Sequence, residues 1–446
     1  MSIDWDAARS EVTEVLQGMI RFDTTNPPGN ETPCLEYVAG VLRKDGIDST
    51  ILESKPTRGN LVARLKGSGS KPPFIMMGHV DVVPVEYDKW TKKPFGGDII
   101  DGFVYGRGAL DMKNIDAIQL EVMLLLHRER VPLARDIILM LNADEETSGR
   151  WGAQWMQEGH PELIRASAGI TELGGNAFDF AGKRFFMVQT GEKAGSGFYI
   201  RARGTPGHAS QPHKDNAVLK LARALKRLGE VERPIHVSPT MRKYVDTIAR
   251  AAGPEGEIWY GLLENETFVE TLDSLPIRAS MKKMLHSQFH NSMAPTMLNA
   301  GTKINVIPSV AECVVDCRAV PGQSHADVER EVRAVIGDEC EIEFGREIVS
   351  TGVEQPNVTE TELWKLFEKH VQSRVPGGVL LPFLHTVGTD GRFQVKLGTE
   401  IFGFTPALSP IEEYDRIHGH DERVAVSDLE FGVRVLYDVV KDFCAQ

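Results

Sequence analysis

Three segments of this chain place histidine or carboxylate side chains directly after stretches that predict buried strands. The first is GHVDVVP at residues 78–84, which follows the apolar run Phe74–Met77. The others are YGRGALDMK at 105–113 and ADEETSG at 143–149, the latter preceded by the run Asp136–Leu141, which is apolar after its first residue. Because open α/β sheets present ligands at the carboxyl ends of their strands, we expect these segments to meet. Imidazole and carboxylate groups in one place predict a metallohydrolase.

The residue types suit a pair of zinc-like ions. Each ion needs about four nitrogen or oxygen ligands, a carboxylate can bridge both, and one position must stay open for water. His79 and Asp111 supply an imidazole and a carboxylate. Asp81 lies on the same side of an extended strand end as His79, where it can accept the second N–H of the ring. Glu145 and Glu146 point to opposite sides in extended backbone, so that one can bind metal while the other moves protons.

Two further segments offer ligands. Glu172 follows another predicted strand in TELGG at 171–175, and His418 and His420 stand near the C-terminus in HGHDER at 418–423. Each motif alone is weak, because a single histidine is usually only hydrogen-bonded and the chain carries 63 acidic residues. The joint pattern is specific, because the carboxylate clusters follow apolar strands and glycine brackets most of them.

The bulk composition limits the classes to which the protein can belong. Its 446 residues exceed one ordinary domain, and 41% of them are hydrophobic, which is enough for full cores. The formal net charge of -13 argues against a nucleic-acid partner, since phosphate binding needs a basic surface.

Cysteine usage and the N-terminus bear on the compartment. Five scattered cysteines indicate free thiols in a reducing compartment, and Cys313 and Cys317 share one face of a predicted strand and are expected in the core. Residues 1–6 lack the pattern of a signal peptide, and no apolar run approaches the roughly 20 residues that cross a bilayer. We therefore expect a soluble, cytoplasmic protein without a membrane partner.

The secondary-structure pattern predicts two domains. Helices and strands alternate over 1–191 and again over 350–446, which favours an α/β fold with a mostly parallel sheet. The intervening residues 192–349 alternate half-exposed strands with amphipathic helices, which favours an α+β domain with an antiparallel sheet. Residues 236–300 are mostly helical if regular. The second domain thus interrupts the first.

The chain also resembles a known family. Its motifs match, in order and spacing, the di-zinc hydrolases that include aminoacylase, glutamate carboxypeptidase and succinyl-diaminopimelate desuccinylase. The resemblance runs from about residue 75 to 425 and rests on the segments named above together with GTPGHAS at 204–210, NVIP at 305–308, DCRAVPG at 316–322 and GTDGRF at 388–393.

This resemblance implies a zinc-hydrolase catalytic domain interrupted by a lid or dimerisation domain. It implies two zinc ions per chain, for which cobalt or manganese can substitute. The implied ligands are His79 and Glu172 on one ion, Glu146 and His418 on the other, and Asp111 on both.

The resemblance also assigns roles around these ligands. Glu145 is expected as the general base and Asp81 as the residue that orients His79. His418 is preferred to His420 because the last ligand of the family lies four residues before the glutamate of this motif, here Glu422. A cis peptide bond is expected directly after Asp111.

Residues of the second domain are expected to contribute as well. His208 of GTPGHAS matches a histidine that reaches the site from the lid domain, and a homodimer paired through that domain is expected. Arg318 and Arg392 are candidate clamps for a substrate carboxylate, because the arginine fork pairs with carboxylates in a bidentate manner; each could equally make a structural ion pair. Asn305 and Thr389 are expected to contact substrate as well.

The leading hypothesis is a metal-dependent amide hydrolase that cleaves an N-acyl amino acid or a C-terminal peptide bond. Glutamate at position 172 resembles the carboxypeptidase and aminoacylase side of the family. A dipeptidase or desuccinylase of the same family is the alternative. A non-catalytic scaffold is disfavoured because the ligand set and Glu145 are all present, and a di-metal phosphoesterase leaves GTPGHAS unexplained.

Overall fold

The computed structural model describes residues 3–345, 352–355 and 357–445. They form two compact units. Unit 1 comprises Met1–Thr190, Asn357–Pro382 and Thr389–Gln446, and unit 2 comprises Gly191–Pro356 and Phe383–Gly388.

The unit boundaries differ in detail from those expected from sequence. The first change of unit falls between residues 190 and 191, one residue before the expected 191/192 boundary. The expected return to the first domain at 350 lies outside the described residues. Residues 383–388 were assigned to the first domain from sequence and belong to unit 2 in the structure.

Helices and strands are numbered in chain order. Among the described residues the α-helices are α1 (Trp5–Ile20), α2 (Thr32–Lys44), α3 (Lys113–Arg128), α4 (Ala153–Gly159), α5 (Pro161–Ile164), α6 (Ala217–Glu230), α7 (Pro239–Ala252), α8 (Phe268–Ser274), α9 (Ala279–Phe289), α10 (His325–Ile336), α11 (Glu362–Gln372), α12 (Gly391–Lys396) and α13 (Val426–Cys444). Short 3₁₀ segments are Tyr87–Lys89, Gly253–Leu263, Val358–Glu360 and Ile411–Arg416. The strands are β1 (Ser49–Lys55), β2 (Arg58–Leu65), β3 (Phe74–His79), β4 (Asp98–Ile100), β5 (Phe103–Tyr105), β6 (Ile137–Asn142), β7 (Ala168–Thr171), β8 (Ala177–Phe180), β9 (Lys183–Glu192), β10 (Ala194–Gly195), β11 (Phe198–Arg203), β12 (Gly207–His208), β13 (Ser292–Ala300), β14 (Val306–Ile307), β15 (Val310–Ala319), β16 (Cys340–Phe344), β17 (Val353–Glu354), β18 (Val379–His385), β19 (Glu400–Gly403) and β20 (Arg423–Ala425).

Unit 1 is built on a large sheet with the strand order β1-β2-β6-β3-β7-β19-β9. The four central strands β6, β3, β7 and β19 are parallel, and Met76 of β3 pairs with Leu139 on one side and Ile170 on the other. Every residue of β3, β6 and β7 is buried. A mostly parallel sheet is therefore confirmed.

Both faces of this sheet are covered. Phe74 and Met76 of β3 belong to a core cluster that includes α1, α2, α3, α11 and α13, whereas Ile75 and Met77 belong to a second cluster with α4. Two-sided burial explains why these strands are continuous apolar runs rather than alternating ones.

The flanks of the sheet are antiparallel, which was not predicted from the sequence. Strand β1 pairs with β2 in antiparallel fashion, as β2 does with β6 and β8 with β9. Tight connections at Lys55–Arg58 and at Phe180–Lys183 account for the two hairpins, since only antiparallel neighbours can be joined by so short a turn.

Unit 2 contains an antiparallel sheet in which β15 pairs with β13 on one side and with β10 and β11 on the other. Strand β15 alternates, and its buried positions include Cys313 and Cys317, which confirms their place in a core. Helices α6 and α10 contribute to the same core. Residues 292–300, expected to be helical if regular, form β13 instead.

Two smaller predictions concern thiols and membranes. All five cysteines are buried and unpaired, as expected. Among the helices of the described residues, none has both the length and the apolar composition needed to cross a membrane.

Candidate metal centre

The parallel strands of unit 1 deliver their polar ends to one edge of the sheet. Strand β3 ends at His79, β7 ends one residue before Glu172, and β6 ends two residues before Asp144. Because parallel strands have their carboxyl ends at the same edge, these residues meet in space, as the sequence predicts.

Asp111 lies between two histidines at this edge. Its Oδ1 atom is 3.2 Å from Nε2 of His79, and its Oδ2 atom is 3.2 Å from Nε2 of His418. Glu146 Oε2 is also 3.2 Å from Nε2 of His418, and Glu172 Oε2 is 3.5 Å from Nε2 of His79. The structure thus brings the five expected ligands together in two groups that share Asp111.

Glu145 lies in the same cluster. Its Oε2 atom is 3.9 Å from Nε2 of His79. The ligand atoms of His79, Glu145 and Glu172 all lie within 4.8 Å of one another, as do those of His79, Asp111 and Glu146. Both groups have a geometry that can hold a metal ion.

Buried polar atoms that lack a hydrogen bond indicate whether the site fits a cation. Such atoms belong to all four buried or half-buried ligands, namely His79 Nε2, Asp111 Oδ1, Glu146 Oε1 and Glu172 Oε1. Buried polar atoms almost always have partners, and imidazole nitrogens and carboxylate oxygens are zinc ligands. The donor set therefore fits divalent cations.

The pKa values of the cluster also indicate that added positive charge would stabilise it. Burial opposes ionisation of Asp111, but the close imidazoles of His418 and His79 hold its pKa below its ordinary range. The carboxylates of Asp111 and Glu146, which contact the His418 imidazole, raise its pKa to about 10. Burial raises the pKa of Glu146 to about 7, and burial with the charge of Glu172 raises that of Glu145. Several carboxylates in so dry a site are stable together only beside compensating charge.

Asp81 holds the loop that carries the two glutamates. Its carboxylate accepts hydrogen bonds from the backbone N–H groups of Glu145 and Glu146, both at 3.1 Å, and from the Asn26 side chain at 2.8 Å. The Nδ1 atom of His79 lies 3.1 Å from the backbone carbonyl oxygen of Asp81 and 3.5 Å from its carboxylate. Asp81 thus contacts both the imidazole and the glutamate pair.

A buried ion pair fixes the loops of Asp111 and His418. The Arg107 guanidinium donates to the Glu422 carboxylate at 2.6 Å and to the carbonyl oxygen of His418 at 3.4 Å. Glu422 Oε1 accepts from the backbone N–H groups of Leu110 and Asp111 at 2.7 and 3.2 Å. From the sequence, Glu422 indicated only the choice of His418 over His420, and its ion pair with Arg107 was not predicted.

Three loop residues of the site have left-handed backbone. They are Asp144 at φ 73°, Leu173 at φ 62° and His418 at φ 61°. Non-glycine residues seldom adopt this conformation, and such residues concentrate at functional sites. The peptide bond between Asp111 and Met112 is cis, as the resemblance implies.

The other candidates of unit 1 lie as follows. The His420 imidazole donates a hydrogen bond to the Glu86 carboxylate at 2.9 Å, whereas His418 is the histidine that contacts Asp111. The Arg392 guanidinium donates to the carbonyl oxygens of Thr389 at 2.5 Å and Ser148 at 3.0 Å, and the side chain of Thr389 is buried.

The candidate residues of unit 2 make contacts within that unit. His208 is exposed, and its Nδ1 atom is 2.8 Å from the hydroxyl oxygen of Ser210. Asn305 is exposed and accepts at its backbone carbonyl from Ala209. Arg318 pairs with Asp316 at 3.0 Å.

Asp390 is a further buried carboxylate of the site that was not selected from the sequence. Burial raises its pKa to about 7, although the charges of Arg392 and His79 oppose the shift. Its position in GTDGRF was visible in the sequence, but nothing there distinguished it from Thr389 or Arg392.

Comparison with known proteins identifies the family. The model for peptidase family M20/M25/M40 matches residues 75–442. The chain belongs to this family. The resemblance inferred from the motifs is thereby confirmed, and so is the prediction of a hydrolase of the metallopeptidase and amidohydrolase class.

Relatives and solved structures of the family cover nearly the whole chain. N-fatty-acyl-amino acid synthase/hydrolase PM20D1 of Homo sapiens is 30% identical, over 97% of this chain and 88% of that protein. Probable carboxypeptidase S-like 2 of Dictyostelium discoideum is 30% identical, over 86% and 74%. The M20 metallo-carboxypeptidase Sso-CP2 of Sulfolobus solfataricus has a TM-score of 0.69 at 17% identity, covering 97% and 98%. YXEP of Bacillus subtilis, a dinuclear metal-binding M20 peptidase, has a TM-score of 0.60 at 14% identity, covering 98% and 99%.

The buried pair of Arg107 and Glu422 generates a stability prediction. Arg107→Ala leaves the Glu422 carboxylate buried without its cation, so that the free energy of opening unit 1 should fall by about 3–5 kcal/mol. Hydrogen exchange of the α3 and β3 backbone amides measures this change.

The control is Arg184→Ala, since Arg184 makes a partly exposed pair with Asp179. Its loss should cost no more than about 1 kcal/mol. Equal losses for the two variants would show that the Arg107 pair has no special part in holding the site.

Proposed function

We propose that this protein is a zinc-dependent amidohydrolase that cleaves N-acyl amino acids. Cleavage of a C-terminal peptide bond is the second candidate, and a dipeptidase or desuccinylase is the alternative within the family. The observation that carries the proposal is the position of Asp111, whose two carboxylate oxygens each face a different histidine at 3.2 Å. A carboxylate so placed suits a pair of cations.

The proposed ligands follow from the two groups of contacts. His79 and Glu172 would hold one zinc ion, and Glu146 and His418 the other, with Asp111 shared. Bound zinc pairs supply a water of lowered pKa and polarise the carbonyl of the scissile amide.

Glu145 is the proposed general base. Its nearest histidine nitrogen is 3.9 Å away, whereas Glu146 approaches His418 to 3.2 Å, so that Glu145 is the less engaged of the two. Glu145 would take the proton of the attacking water and return it to the leaving nitrogen.

Other residues would bind the substrate. His208 is the proposed donor to the oxyanion that develops on the attacked carbonyl. Arg318 and Arg392 are the proposed partners of the carboxylate that an amino-acid product carries, with Asn305 and Thr389 as additional contacts. Two of the five N–H groups of Arg392 bind backbone carbonyls, so that this residue would offer its other donors to the substrate.

The substrate class is drawn from relatives. One relative acts on N-fatty-acyl-amino acids, according to its name, and matches 97% of this chain. Another relative of equal identity is a probable carboxypeptidase over a smaller share of the chain. The relative that matches the larger share of this chain favours an N-acyl amino acid as the substrate.

A hydrolysis screen of N-acyl amino acids and dipeptides with zinc-loaded protein tests the reaction. We expect turnover of N-acyl amino acids in the wild type and loss of turnover by a factor of about 10²–10⁴ in Glu145→Gln, because general base catalysis contributes that much. Zinc content, measured by atomic emission, should stay at two ions per chain.

Glu158→Gln is the matched control, because Glu158 is exposed on α4 and its carboxylate accepts a hydrogen bond from Gln154 of the same helix. It should retain full activity. Unchanged turnover of Glu145→Gln would exclude Glu145 as the general base. Loss of one zinc ion from this variant would identify Glu145 as a metal ligand instead.

We further propose a homodimer that pairs through β13 of unit 2. This strand lies at one edge of the sheet, and Met297 and Leu298 on it are 67% and 69% exposed. An exposed edge strand with large apolar side chains is a pairing surface, and pairing about a two-fold axis would cover it. As the family resemblance implies, His208 would then act in the site of the partner protomer.

Complementation tests the shared site. Glu145→Gln and His208→Ala should each be inactive as homodimers, and mixing them under subunit exchange should restore activity in hybrids that combine one intact base with one intact histidine. Activity that stays at the level of the parents after exchange is verified would contradict sharing. So would full activity of a monomer.

A further inference from the structure

Unit 2 contains a cluster of two histidines and one glutamate. His286 lies on α9, His290 directly follows this helix, and Glu232 comes two residues after α6. The Oε1 atom of Glu232 is 3.0 Å from Nε2 of His286 and 3.3 Å from Nε2 of His290. The two imidazole nitrogens and the carboxylate oxygen all lie within 4.8 Å of one another. Three ligand atoms of the types that bind zinc are thus brought to one place.

The imidazole of His290 is buried and held in one orientation. Only 1% of this residue is exposed, and the ring of Phe268 packs edge-on against it at 4.9 Å. Its Nδ1 atom lies 2.8 Å from the backbone carbonyl oxygen of His286. Because a carbonyl oxygen only accepts, Nδ1 carries the proton of the neutral ring and Nε2 has the free electron pair. Burial lowers the pKa of His290 to about 4, which favours this neutral form.

The Nε2 atom of His290 is therefore an acceptor that faces another acceptor. It is a buried atom without a hydrogen bond, although buried polar atoms almost always have a partner. An ionised carboxylate such as that of Glu232 has no proton to donate to it. A divalent cation would accept electron pairs from both groups. Ligand atoms bound to one tetrahedral zinc ion lie about 3.3 Å from each other, close to the distances from Glu232 to the two imidazoles.

Neighbouring polar groups of this segment pair with a different carboxylate. The Nε atom of Arg233 is 3.6 Å from Oε1 of Glu331, and Nε2 of His236 is 2.9 Å from its Oε2. The side chain of Asn291 also donates to Glu331, at 2.7 Å. Glu331 thus compensates the nearby arginine, which leaves the charge of Glu232 available to a cation.

The end of α9 is fixed, whereas the His286 side chain can adjust. The Nζ atom of Lys193 donates to the backbone carbonyl oxygens of Ser287 and His290, both at 2.8 Å. The rings of His286 and His290 stack at 4.2 Å with their planes 10° apart. Since parallel rings do not direct both electron pairs at one atom, His286 would turn about its Cβ–Cγ bond when an ion binds. Its side chain is 39% exposed, which leaves room for that rotation.

We propose that Glu232, His286 and His290 bind one divalent transition-metal ion such as zinc, with water as the fourth ligand. Imidazole ligands favour such an ion over magnesium or calcium. The ion would join the segment after α6 to the end of α9, two residues before β13 begins, and so would stabilise unit 2. Only three side chains hold it, two of them partly exposed, whereas five share the ions of unit 1. It should therefore be the weakest bound ion and be removed by gel filtration that leaves two ions per chain.

Calorimetric titration tests this site independently of the reaction. Protein that retains two zinc ions after gel filtration is titrated with further zinc chloride. We expect the wild type to bind one additional ion per chain. Glu232→Gln and His286→Ala should each weaken its binding at least about tenfold, since even the partners of metal ligands contribute that much. Both side chains are partly exposed, at 57% and 39%, so that the variants should fold and keep the first two ions.

The matched control is His160→Ala. His160 also lies near a carboxylate, that of Glu162 at 4.0 Å, but it belongs to none of the possible ligand groups among the described residues. This variant should bind the additional ion as the wild type does. The proposal is wrong if the wild type binds no additional zinc, or if Glu232→Gln and His286→Ala bind it as tightly as His160→Ala.

Hydrogen exchange locates the additional ion. In the wild type it should slow exchange of the backbone amides of α9 and of residues 231–238, because an ion bound only to the folded state stabilises the segments that it joins. Glu232→Gln at the same zinc concentration should lack this protection. Equal protection in both proteins, or protection confined to unit 1, would place the ion elsewhere and overturn the proposal.

Discussion

The buried negative charge at one edge of the unit 1 sheet is the constraint on which the rest of the site depends. Asp111 and Glu172 lie within 3.5 Å of one imidazole, and Asp111 and Glu146 lie 3.2 Å from another. Neutral or singly protonated histidines do not balance so many carboxylates, and leaving a buried charge unpaired is costly. Divalent cations bring two charges each and use the same nitrogen and oxygen atoms as ligands, so that they would stabilise the cluster.

The surrounding structure holds these groups together against their repulsion. Parallel strands fix His79 and Glu172, the Asp81 carboxylate accepts from the backbone of the glutamate pair, and the buried Arg107 and Glu422 pair ties the Asp111 loop to the His418 loop. These contacts run mainly through backbone groups. Buried nitrogen and oxygen atoms of the candidate ligands are thereby left without a hydrogen bond and are available to a cation.

The sequence predicts the strand ends and the candidate ligands well, because both depend on short segments. An apolar run followed by His79 or by the glutamate pair is a local signal, and parallel pairing then puts the strand ends at one edge. The Arg107 and Glu422 pair joins positions 315 apart in the chain, so that no local pattern marks it. The hairpins at the edges of the sheet and the strand β13 were missed because short turns and exposed edge strands carry a weak hydrophobic pattern.

The position of the cations is measured most directly by anomalous diffraction at the zinc edge from crystals of the zinc-loaded protein. Two peaks about 3.5–4 Å apart are expected in each chain, both within about 2.2 Å of Asp111 carboxylate oxygens. One peak should contact His79 and Glu172, and the other Glu146 and His418, with Glu145 bound to neither. A single peak, or a pair of peaks bridged by a residue other than Asp111, would contradict the two-ion centre.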